Sequence, residues 1–580
     1  MKLHFHNRIL MVSRPLPYKI FRAILFTNCW VSLTIPLGMS INFYEKSKLD
    51  KKIVILVGSY IAIIAAFNIF SMKHLSLTTD ERFFYSYGQS IIRLNSNRDK
   101  PMSDSKMPFS VLNVLPRFLG EHLKAGKTKN YLIKLETGRI ATVLLALILG
   151  LFVFLWSYKL YGHLGGIISL TLYAFSPNIL AHSRLITSDL YAACLITVAL
   201  YYFWRFLENP SLLGLILSAV TLGIAQLTKY SCLFLYPILT IIFIIRYWPK
   251  VCDLTIHRDI RKSFKSFSKL VLICAFFLMI SILIINIGFL FNNSGVPFAD
   301  YSFKTPALKH LQSESKLLGK IRIPFPYPYL QGIDITLYRI RIQPYSRGYL
   351  LGRLAKPHQG FRGYYLFAYA LKVPIAIQIF VIAAVLNFII RRKNYFFSRN
   401  ESFLLVPVLF YSIYMNFFVP RNIGFRHVLM IMPLLFIFCG NLFSEKSWKT
   451  LKVYQKAFTL FLILYLIISS LSYFPHYLSY FNEIVWDRKT SYQYLVDSNL
   501  DWGQNQYYWT EYKKKHPDAI LNPPKPISGR IVVTANELVG IFKPEKYKWL
   551  RDNFRPVGHI AYSYLIFNVS EEKLKNLQIK

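Results

Sequence analysis

Three carboxylates lie beside apolar runs of this chain, where a carboxylate can serve as a base or hold a cation. Asp80 and Glu81 are adjacent and follow the apolar run 53–71, and Asp189 begins another apolar run. Two neighbouring carboxylates in a medium of low dielectric constant resist double ionisation, which is one way to tune a general base. Such residues also cap helices, because a carboxylate stabilises a helix N-terminus. On these residues alone both interpretations stay open.

Four basic side chains lie at turns between apolar runs and are candidates for binding an anion. Lys229 separates two runs, and Arg421, Arg426 and His427 lie in the turn PRNIGFRHVLM. A lysine at the end of a membrane segment is common and needs no function. Arginines are disfavoured in short turns outside the membrane, so the second group is the more informative. Facing the carboxylates, these cations predict a site that holds a phosphate.

Apolar runs of membrane-spanning length must position these side chains. The chain has 580 residues, of which 54% are hydrophobic, too apolar a composition for a soluble protein of this size. Runs of spanning length predict an all-α polytopic membrane protein with about 11–12 transmembrane helices. The runs are 21–42, 53–71, 139–158, 164–181, 189–207, 212–229, 231–246, 270–291, 366–390, 402–420, 424–443 and 455–473.

The net charge of +41 is explained by basic residues that orient the chain in the membrane and contact anionic lipid headgroups, so it indicates no nucleic-acid partner. Short connections rich in Lys and Arg mark the cytoplasmic side, at 246–269, 391–393 and 446–456. Counting crossings from them places the polar regions on the opposite face, at 72–138, 292–365 and 474–580. The basic N-terminus falls on the wrong side in this count, so whether 21–42 spans stays open.

The polar tail predicts a separate external region. A transmembrane domain over 1–473 is expected to carry a small α/β cap over 474–580, packed against the loop 292–365. The segments GRIVVTAN (529–536) and AYSYLIFNV (561–569) have the composition of strands.

Three residues in the tail segment DSNLDWGQNQ are candidates for contact with an acceptor or a sugar. Asp497 and Asp501 supply carboxylates that suit carbohydrate hydroxyl groups, and Trp502 supplies an indole that suits the face of a sugar ring. Asp-Ser-Asn and Trp-Gly are also typical of turns, and this second interpretation stays open.

The ordered combination of these motifs, over most of 72–510, resembles the polyprenyl-phosphate-sugar-dependent glycosyltransferases of the C-type membrane fold. The likeness is to the family 39-like group, with the bacterial relatives of protein O-mannosyltransferases and of the lipid A aminoarabinose transferase. Its motifs include TTDERFFYSYG, SKMPFSVLNVLPRFL, HSRLITSDLYAACL, LGIAQLTKYSC, YLLGRLAKPHQGFRGYYLFAYALKVP, NIGFRHVLMIMP and LVDSNLDWGQNQ. Phe83 stands where relatives often have a histidine, and Met107-Pro108 replaces a proline pair. These departures concern the substrate more than the type of reaction.

The resemblance implies an inverting sugar transfer at the outer face of the inner membrane, from a polyprenyl-phosphate-linked sugar to an acceptor hydroxyl. Asp80 would be the general base, while Glu81 and Asp189 would orient and tune it. Lys229, with the Arg421, Arg426 and His427 group, would hold the donor phosphate. The expected partners are the lipid-linked donor, membrane lipids and an extracytoplasmic acceptor, which in such relatives is a protein, lipid A or an envelope glycan. No cofactor is expected to be required, and a divalent metal is the open alternative.

Two other classes of protein fit parts of the same sequence. A transporter or flippase for anionic lipid-linked substrates would also need many spans and basic loops. The absence of an inverted internal repeat in the sequence, and the polar mass on one face, favour the enzyme over the transporter. An assembly factor that has lost catalysis is a third interpretation, suggested by Phe83.

Overall fold

The computed structural model describes residues 50–98, 105–256, 260–314, 316–342, 346–356, 358–391 and 400–577. The predicted run 21–42 lies outside these residues. Leu49–Lys580 forms one compact unit. The predicted domain boundary at residue 473 therefore stays a prediction, because the tail packs within the same unit as the helices before it.

Helices make up most of the described chain before the tail. They are α1 (Lys51–Met72), α2 (Glu81–Ile92), α3 (Val111–Glu121), α4 (Lys127–Leu132), α5 (Arg139–Ala174), α6 (Pro177–His182), α7 (Ser188–Glu208), α8 (Leu212–Gln226), α9 (Leu235–Ile256), α10 (Ile260–Gly288), α11 (Pro306–Glu314), α12 (Lys316–Lys320), α13 (Tyr327–Arg341), α14 (Tyr364–Lys372), α15 (Ile375–Arg391), α16 (Ser402–Phe417), α17 (Met432–Cys439), α18 (Glu445–Thr450) and α19 (Val453–Leu471). The predicted all-α membrane architecture is confirmed.

The described residues contain six helical segments long and apolar enough to cross a membrane, or seven if a bent pair is one span. The six are Lys51–Met72, Leu135–Ala174, Ser188–Glu208, Leu270–Gly288, Phe425–Phe443 and Val453–Leu471, and the pair is Tyr364–Lys372 with Ile375–Ile390. Three further apolar helices have 10–17 residues: Leu212–Gln226, Tyr230–Arg246 and Ser402–Phe417. The predicted class is confirmed, but this number of long spans is lower than the predicted 11–12 because several runs form short, broken or merged helices.

One glycine explains part of that difference. The predicted runs 139–158 and 164–181 are joined in α5, which is interrupted at Gly162 with φ +85°. An L-residue is strained at this positive φ, whereas glycine adopts it readily. The helix therefore changes direction at this position without an intervening loop.

The bent pair α14–α15 connects the membrane helices to the tail. Val373 is extended at the break, as expected of a residue that precedes a proline. The chain bends by 117° between the two helices. The buried side chain of Lys372, at the end of α14, donates hydrogen bonds to the carbonyl groups of Leu478 (2.9 Å) and Asn499 (2.5 Å). A buried amino group needs such acceptors, so these hydrogen bonds hold the tail against the bend.

The tail is the mixed α/β region that its composition predicted. It contains β3 (Ile520–Leu521), β4 (Gly529–Thr534), β5 (Gly558–Ile560) and β6 (Tyr564–Val569), with α20 (Gln506–Lys515), α21 (Ala535–Val539), α22 (Lys548–Asn553) and α23 (Glu571–Asn576). The sheet order is β3-β4-β6-β5. The central strands β4 and β6 are antiparallel, in a register from Gly529 opposite Val569 to Thr534 opposite Tyr564. Both strands overlap the two predicted segments.

The two polar loops contain structure of their own and both contact the tail. The first loop, 72–138, contains α2–α4, and the second, 292–365, contains α11–α13 and the hairpin of β1 (Tyr349–Leu350) with β2 (Arg353–Leu354). In the first loop the backbone N–H of Thr79 donates to the carbonyl of Trp502 at 3.0 Å. In the second, the N–H of Arg347 donates to the carbonyl of Ile541 at 3.1 Å. The tail thus packs over the second loop, as predicted, and also directly over the acidic segment.

Gly88 in α2 tests how tightly the acidic helix is packed. A Cβ at this position would lie 2.7 Å from the carbonyl carbon of Ser110 and 2.9 Å from Cγ2 of Val114. We expect Gly88→Ala to lower the free energy of unfolding by about 1–3 kcal/mol, because the helix must move away from its neighbour. The measurement is thermal unfolding of the purified protein in detergent.

The matched control is Gly58→Ala in α1, where a Cβ would meet no atom within 4 Å. Alanine has the higher helix propensity, so this change is expected to be neutral or slightly stabilising. Equal melting temperatures for the two variants would contradict the packing described for α2.

Candidate active site

Glu81 is a fully buried carboxylate whose two oxygens are both occupied. Its Oε1 accepts hydrogen bonds from Nε of Arg139 at 2.8 Å and from the backbone N–H of Ile186 at 3.1 Å. Its Oε2 accepts from an Nη of Arg139 at 2.8 Å and from the N–H and hydroxyl of Thr78 at 2.8 and 3.1 Å. The exposed fraction of Glu81 is 0%. No part of this carboxylate is free to meet a substrate in this arrangement.

The Glu81–Arg139 ion pair joins three separated segments. The guanidinium of Arg139 also donates to the carbonyls of Leu75 and Ser76, each at 2.9 Å, so it joins the segment before α2 to the start of α5. Through Ile186, the same carboxylate holds the segment that leads into α7. Asp80 is adjacent to Glu81, and Asp189 follows Ile186 by three residues. The pair therefore constrains where both other carboxylates lie.

Asp80 is the carboxylate that stays partly accessible. Its side chain is 17% exposed, with Oδ2 3.2 Å from an Nη of Arg426 and Oδ1 3.7 Å from Nζ of Lys106. It makes no capping hydrogen bond to α2, so helix capping does not account for it. Burial raises the pKa of Asp80, but Lys106 and then Arg426 lower it, and the net direction is downward. Asp80 is therefore held ionised, in the form that accepts a proton.

Asp189 lies in the first turn of α7 and is more deeply buried than Asp80. Its side chain is 1% exposed, with Oδ1 2.7 Å from Nζ of Lys229 and Oδ2 3.5 Å from an Nη of Arg426. A carboxylate at this end of a helix is also stabilised by the helix dipole. Asp189 therefore stabilises the start of α7 and also contacts the cations of the site. The sequence left both interpretations open.

Arg426 connects the two carboxylates. One of its Nη atoms contacts Asp80 and Asp189, its Nε donates to the hydroxyl of Ser498 at 3.1 Å, and its guanidinium lies 4.1 Å over the ring of Trp502. At Gly424, two residues earlier, a Cβ would overlap the Ser498 hydroxyl. The glycine thus permits the close approach between this turn and the tail that the arginine needs.

Arg421 and His427, the other two basic residues of this turn, lie near Arg426. Burial and the neighbouring Arg426 lower the pKa of Arg421, while Asp497 and Asp80 raise it less, so the net direction is downward. The ring of His427 lies 6.4 Å from that of Tyr365. Its buried Nε2 has no hydrogen-bond partner within the part of the chain that the structure describes.

The three tail candidates occupy different surroundings. Asp497 has a φ of +58° and accepts a hydrogen bond from the hydroxyl of Ser346 at 3.3 Å. Trp502 carries Arg426 on one face, so the structure brings it to the carboxylates. Asp501 accepts from the N–H of Gly503 at 3.2 Å, which is the local bond of an Asx turn. The turn interpretation therefore describes Asp501 well, and contact of all three with a sugar or acceptor stays a prediction.

The structure adds residues that the sequence reasoning did not single out. Lys106 contacts Asp80 and lies 4.2 Å over the ring of Phe84, and Arg139 pairs with Glu81. Lys106 directly precedes Met107-Pro108, where the chain differs from its relatives. The sequence analysis considered this motif but not the charge of the lysine. Arg139 begins an apolar run, where a buried arginine is itself a signal that a carboxylate partner exists.

The charges and ligand types of the site suit an anionic substrate. Two carboxylates, Asp80 and Asp189, face three cations, Lys106, Lys229 and Arg426, which leaves positive charge in excess. Over the described ranges, His, Cys, Asp and Glu form no group of three or more that could hold a metal ion.

Part of the chain that contributes to the site is similar to a known protein family. Residues 134–285 match the family described as dolichyl-phosphate-mannose-protein mannosyltransferase, and this range contains Arg139, Asp189 and Lys229. No curated protein sequence matches the chain. Over these residues the chain is similar to a glycosyltransferase family, which confirms the predicted resemblance and the predicted class of enzyme.

Solved structures of two other proteins are similar to this one. ArnT from Cupriavidus metallidurans bound to undecaprenyl phosphate is 10% identical, with a TM-score of 0.42, over 89% of this chain and 98% of that one. Its apo form is 12% identical, with a TM-score of 0.43, over 73% and 64%. The apo oligosaccharyltransferase of Archaeoglobus fulgidus is 13% identical, with a TM-score of 0.46, over 79% and 59%. The chain thus spans less than two thirds of the length of the last two.

Removing the charge of Glu81 should destabilise the fold. In Glu81→Gln the guanidinium of Arg139 stays buried without its carboxylate, so we expect a loss of about 3–5 kcal/mol in the free energy of unfolding. Thermal unfolding in detergent measures it. The control is Glu121→Gln, which breaks an exposed pair with Arg117 at 2.7 Å and should change stability by less than about 1 kcal/mol. A Glu81→Gln protein as stable as the control would refute the joining role.

The buried Asp501 should make stability depend on pH. Burial raises the pKa of Asp501 to about 6, against an ordinary value of 3.8. Between these two values the folded state binds the proton more tightly than the unfolded state, so this group lowers stability as pH rises through that window. Asp501→Asn should remove about 2 kcal/mol of this loss, which makes the variant relatively more stable at pH 7 than at pH 4. Melting curves at both pH values measure this.

The control for this prediction is Asp518→Asn, because the side chain of Asp518 is 62% exposed. Its stability relative to the wild type should not change between the two pH values. A difference between Asp501→Asn and wild type that is the same at pH 4 and pH 7 would contradict the role of burial.

Proposed function

We propose that this protein is an integral-membrane glycosyltransferase that transfers a sugar from a polyprenyl-phosphate carrier to a hydroxyl group of an extracytoplasmic acceptor. The observation that carries the proposal is the single cluster of Asp80, Asp189, Lys229 and Arg426, in which an ionised, partly accessible carboxylate lies among cations. Such a cluster combines a base with a phosphate-binding group. The family domain over 134–285 supports the same class of reaction.

Asp80 is the general base of the proposed reaction. Its carboxylate takes the proton of the acceptor hydroxyl while the oxygen attacks the anomeric carbon of the sugar from the face opposite the phosphate. The bond from that carbon to the phosphate oxygen breaks, and its electron pair leaves with the polyprenyl phosphate, so the configuration is inverted. Phosphate is already a good leaving group, which is why help from a base matters more than help from an acid.

The cations of the cluster stabilise the departing phosphate. Lys229 and Arg426 contact Asp189 at 2.7 and 3.5 Å. A phosphate that enters beside them shares these cations, and the charge that develops on the leaving oxygen is stabilised by groups already in place. Arg421 lies on the same turn and adds to this field, and the imidazole of His427 offers its Nε2 to a phosphate oxygen.

The remaining candidates act by position. Glu81 makes all of its hydrogen bonds within the protein, so it is a positioning residue for Asp80 and not a second base. Asp189 holds Lys229 and Arg426 in place for the phosphate. Trp502 would lie against the sugar or acceptor from the tail, with Asp497 and Asp501 beyond it. The active site is proposed to face outward from the inner membrane, because the short basic connections mark the opposite side.

Replacement of Asp80 tests the proposal. In membranes that contain Asp80→Asn, transfer from a panel of radiolabelled polyprenyl-phosphate sugars should fall at least about 100-fold, because the amide cannot take the proton. The matched control is Asp300→Asn, which changes a solvent-exposed carboxylate of the second polar loop and should leave transfer unchanged. Protein levels are compared by immunoblot.

Two results would count against this mechanism. Equal transfer by Asp80→Asn and wild type would remove Asp80 as the base and direct attention to Asp189. Absence of transfer with every donor, together with movement of a labelled anionic lipid between leaflets, would favour the transporter class instead.

A further inference from the structure

Arg98, in the first polar loop, contacts polar groups of three segments that are far apart in the sequence. One of its Nη atoms donates to the hydroxyl of Tyr230 at 2.9 Å and to the carbonyl of Pro328 at 2.6 Å. The other Nη donates to the carbonyl of Lys106 at 2.5 Å and to the sulfur of Met107 at 3.6 Å. The two polar loops and the turn before α9 are therefore joined by one side chain.

Three aromatic rings surround the same guanidinium. Its Cζ lies 5.1 Å from the centre of the Phe289 ring, 5.5 Å from that of Tyr87 and 5.9 Å from that of Tyr230. Aromatic faces attract a guanidinium, and the attraction is stronger where water is excluded. The rings and the carbonyls together fix the orientation of the group, because a guanidinium offers its N–H groups in a rigid, flat fork.

Gly332 in α13 is required for this close packing. A Cβ at this position would overlap both an Nη of Arg98 and the hydroxyl of Tyr230. The same hydroxyl donates to the carbonyl of Tyr329 at 3.1 Å, which also belongs to α13. Helix α13 of the second polar loop therefore packs directly on Arg98 and Tyr230.

Two partners of Arg98 lead to the cations of the candidate active site. The first is Lys106 itself, whose Nζ lies 3.7 Å from Oδ1 of Asp80. The second is Tyr230, which directly follows Lys229 in the chain, and Lys229 contacts the other carboxylate of the site at 2.7 Å. A displacement of Arg98 would therefore release the segments that carry both cations.

These two segments are also bonded to each other. The N–H of Phe109 donates to the carbonyl of Leu227 at 3.2 Å. Phe109 follows Lys106 by three residues, and Leu227 precedes Lys229 by two. The two lysines consequently belong to one bonded unit, which Arg98 contacts from both segments.

From these contacts we infer that Arg98 is a positioning residue that holds Lys106 and Lys229 at the two carboxylates of the site. Glu81, an anion, fixes the segments that carry the carboxylates, and Arg98, a cation, fixes the segments that carry their cationic partners. The effect of Arg98 on Asp80 follows from the Lys106 contact alone. Its effect on a donor phosphate rests on the proposed function, in which Lys229 serves the donor.

The charge state of Asp80 reports whether Lys106 is in place. The charged groups that face Asp80 across the site are Lys106, Arg426, Arg421 and Asp189. Burial raises the pKa of Asp80, and among the cations Lys106 lowers it most, so the net direction is downward. If Lys106 moves away, the pKa of Asp80 rises, because a nearby positive charge favours the ionised form of a carboxyl group.

Infrared titration of the full-length protein in phosphatidylcholine nanodiscs tests the inference without requiring turnover. The carbonyl band of a protonated carboxyl group that is missing in Asp80→Asn belongs to Asp80. In Arg98→Gln the midpoint of this band should move to higher pH, toward that of Lys106→Gln, and the double variant should match Lys106→Gln. The control Arg93→Gln changes an exposed arginine of the same loop and should titrate as wild type does.

Arg98→Lys separates position from charge. Lysine keeps the positive charge but has no planar fork, so it cannot bind the carbonyl of Lys106 and the hydroxyl of Tyr230 together. The midpoint of Asp80 should therefore rise in this variant as well. A wild-type midpoint in Arg98→Lys, with a raised one in Arg98→Gln, would show that only the charge matters and would overturn the positioning role.

Tyr230→Phe tests the second cation. The variant removes the hydroxyl that Arg98 binds but keeps the contact between Arg98 and Lys106, so the midpoint of Asp80 should not change. Binding of farnesyl phosphate, which represents the donor carrier, should weaken about tenfold, because a displaced ammonium group loses a charge-assisted contact. The matched control is Tyr131→Phe, which changes an exposed tyrosine of the first loop and should bind as wild type does.

Three outcomes overturn the inference. An Asp80 midpoint that is the same in wild type and Arg98→Gln would show that Lys106 does not depend on Arg98. A shift in the double variant beyond that of Lys106→Gln would show that Arg98 acts independently of the lysine. Equal binding of farnesyl phosphate by Tyr230→Phe and wild type would remove the role at Lys229.

Failure of the proposed function gives a different result. Wild-type protein that binds no farnesyl phosphate and transfers no sugar would refute the donor site. A midpoint of Asp80 that still rises in Arg98→Gln and Arg98→Lys would, in that case, support the positioning of Lys106 by Arg98.

Discussion

The buried ion pair of Glu81 with Arg139 is the constraint on which the acidic region depends. A carboxylate with no solvent exposure must have its charge and its lone pairs satisfied by the protein. Thr78, Arg139 and Ile186 supply these partners from three segments, so the segments cannot move independently. As a result Asp80, which directly precedes α2, and Asp189, which lies in α7, are held beside the same arginine.

That arginine, Arg426, is itself positioned by the tail. The N–H of Phe425 donates to Oδ1 of Asn499 at 2.8 Å, and the hydroxyl of Ser498 donates to the carbonyl of Ile423 at 2.7 Å. The tail is thus part of the site, because without it the basic turn would lack these partners. This explains why the tail and the membrane helices form one compact unit although their compositions differ.

Much of this arrangement could be predicted from residue types and order. The sequence analysis singled out four charged residues that meet in one cluster: Asp80, Asp189, Lys229 and Arg426. All four lie at helix ends or in turns, which is why they can come together. The role of Glu81 could not be separated from that of Asp80, since adjacent carboxylates look alike until their partners are seen. Lys106 was missed because one lysine in a basic loop carries no distinguishing signal.

The sequence by itself determined the membrane class, the main helices, the strands β4 and β6, and the residues able to carry charge at the membrane boundary. These features depend on local composition and periodicity, which the chain displays directly. Only the tertiary structure decided which carboxylate is accessible and which cation each one contacts. Those properties depend on burial and on contacts between residues hundreds of positions apart, as for Arg426 and Asp80, and no local pattern encodes them.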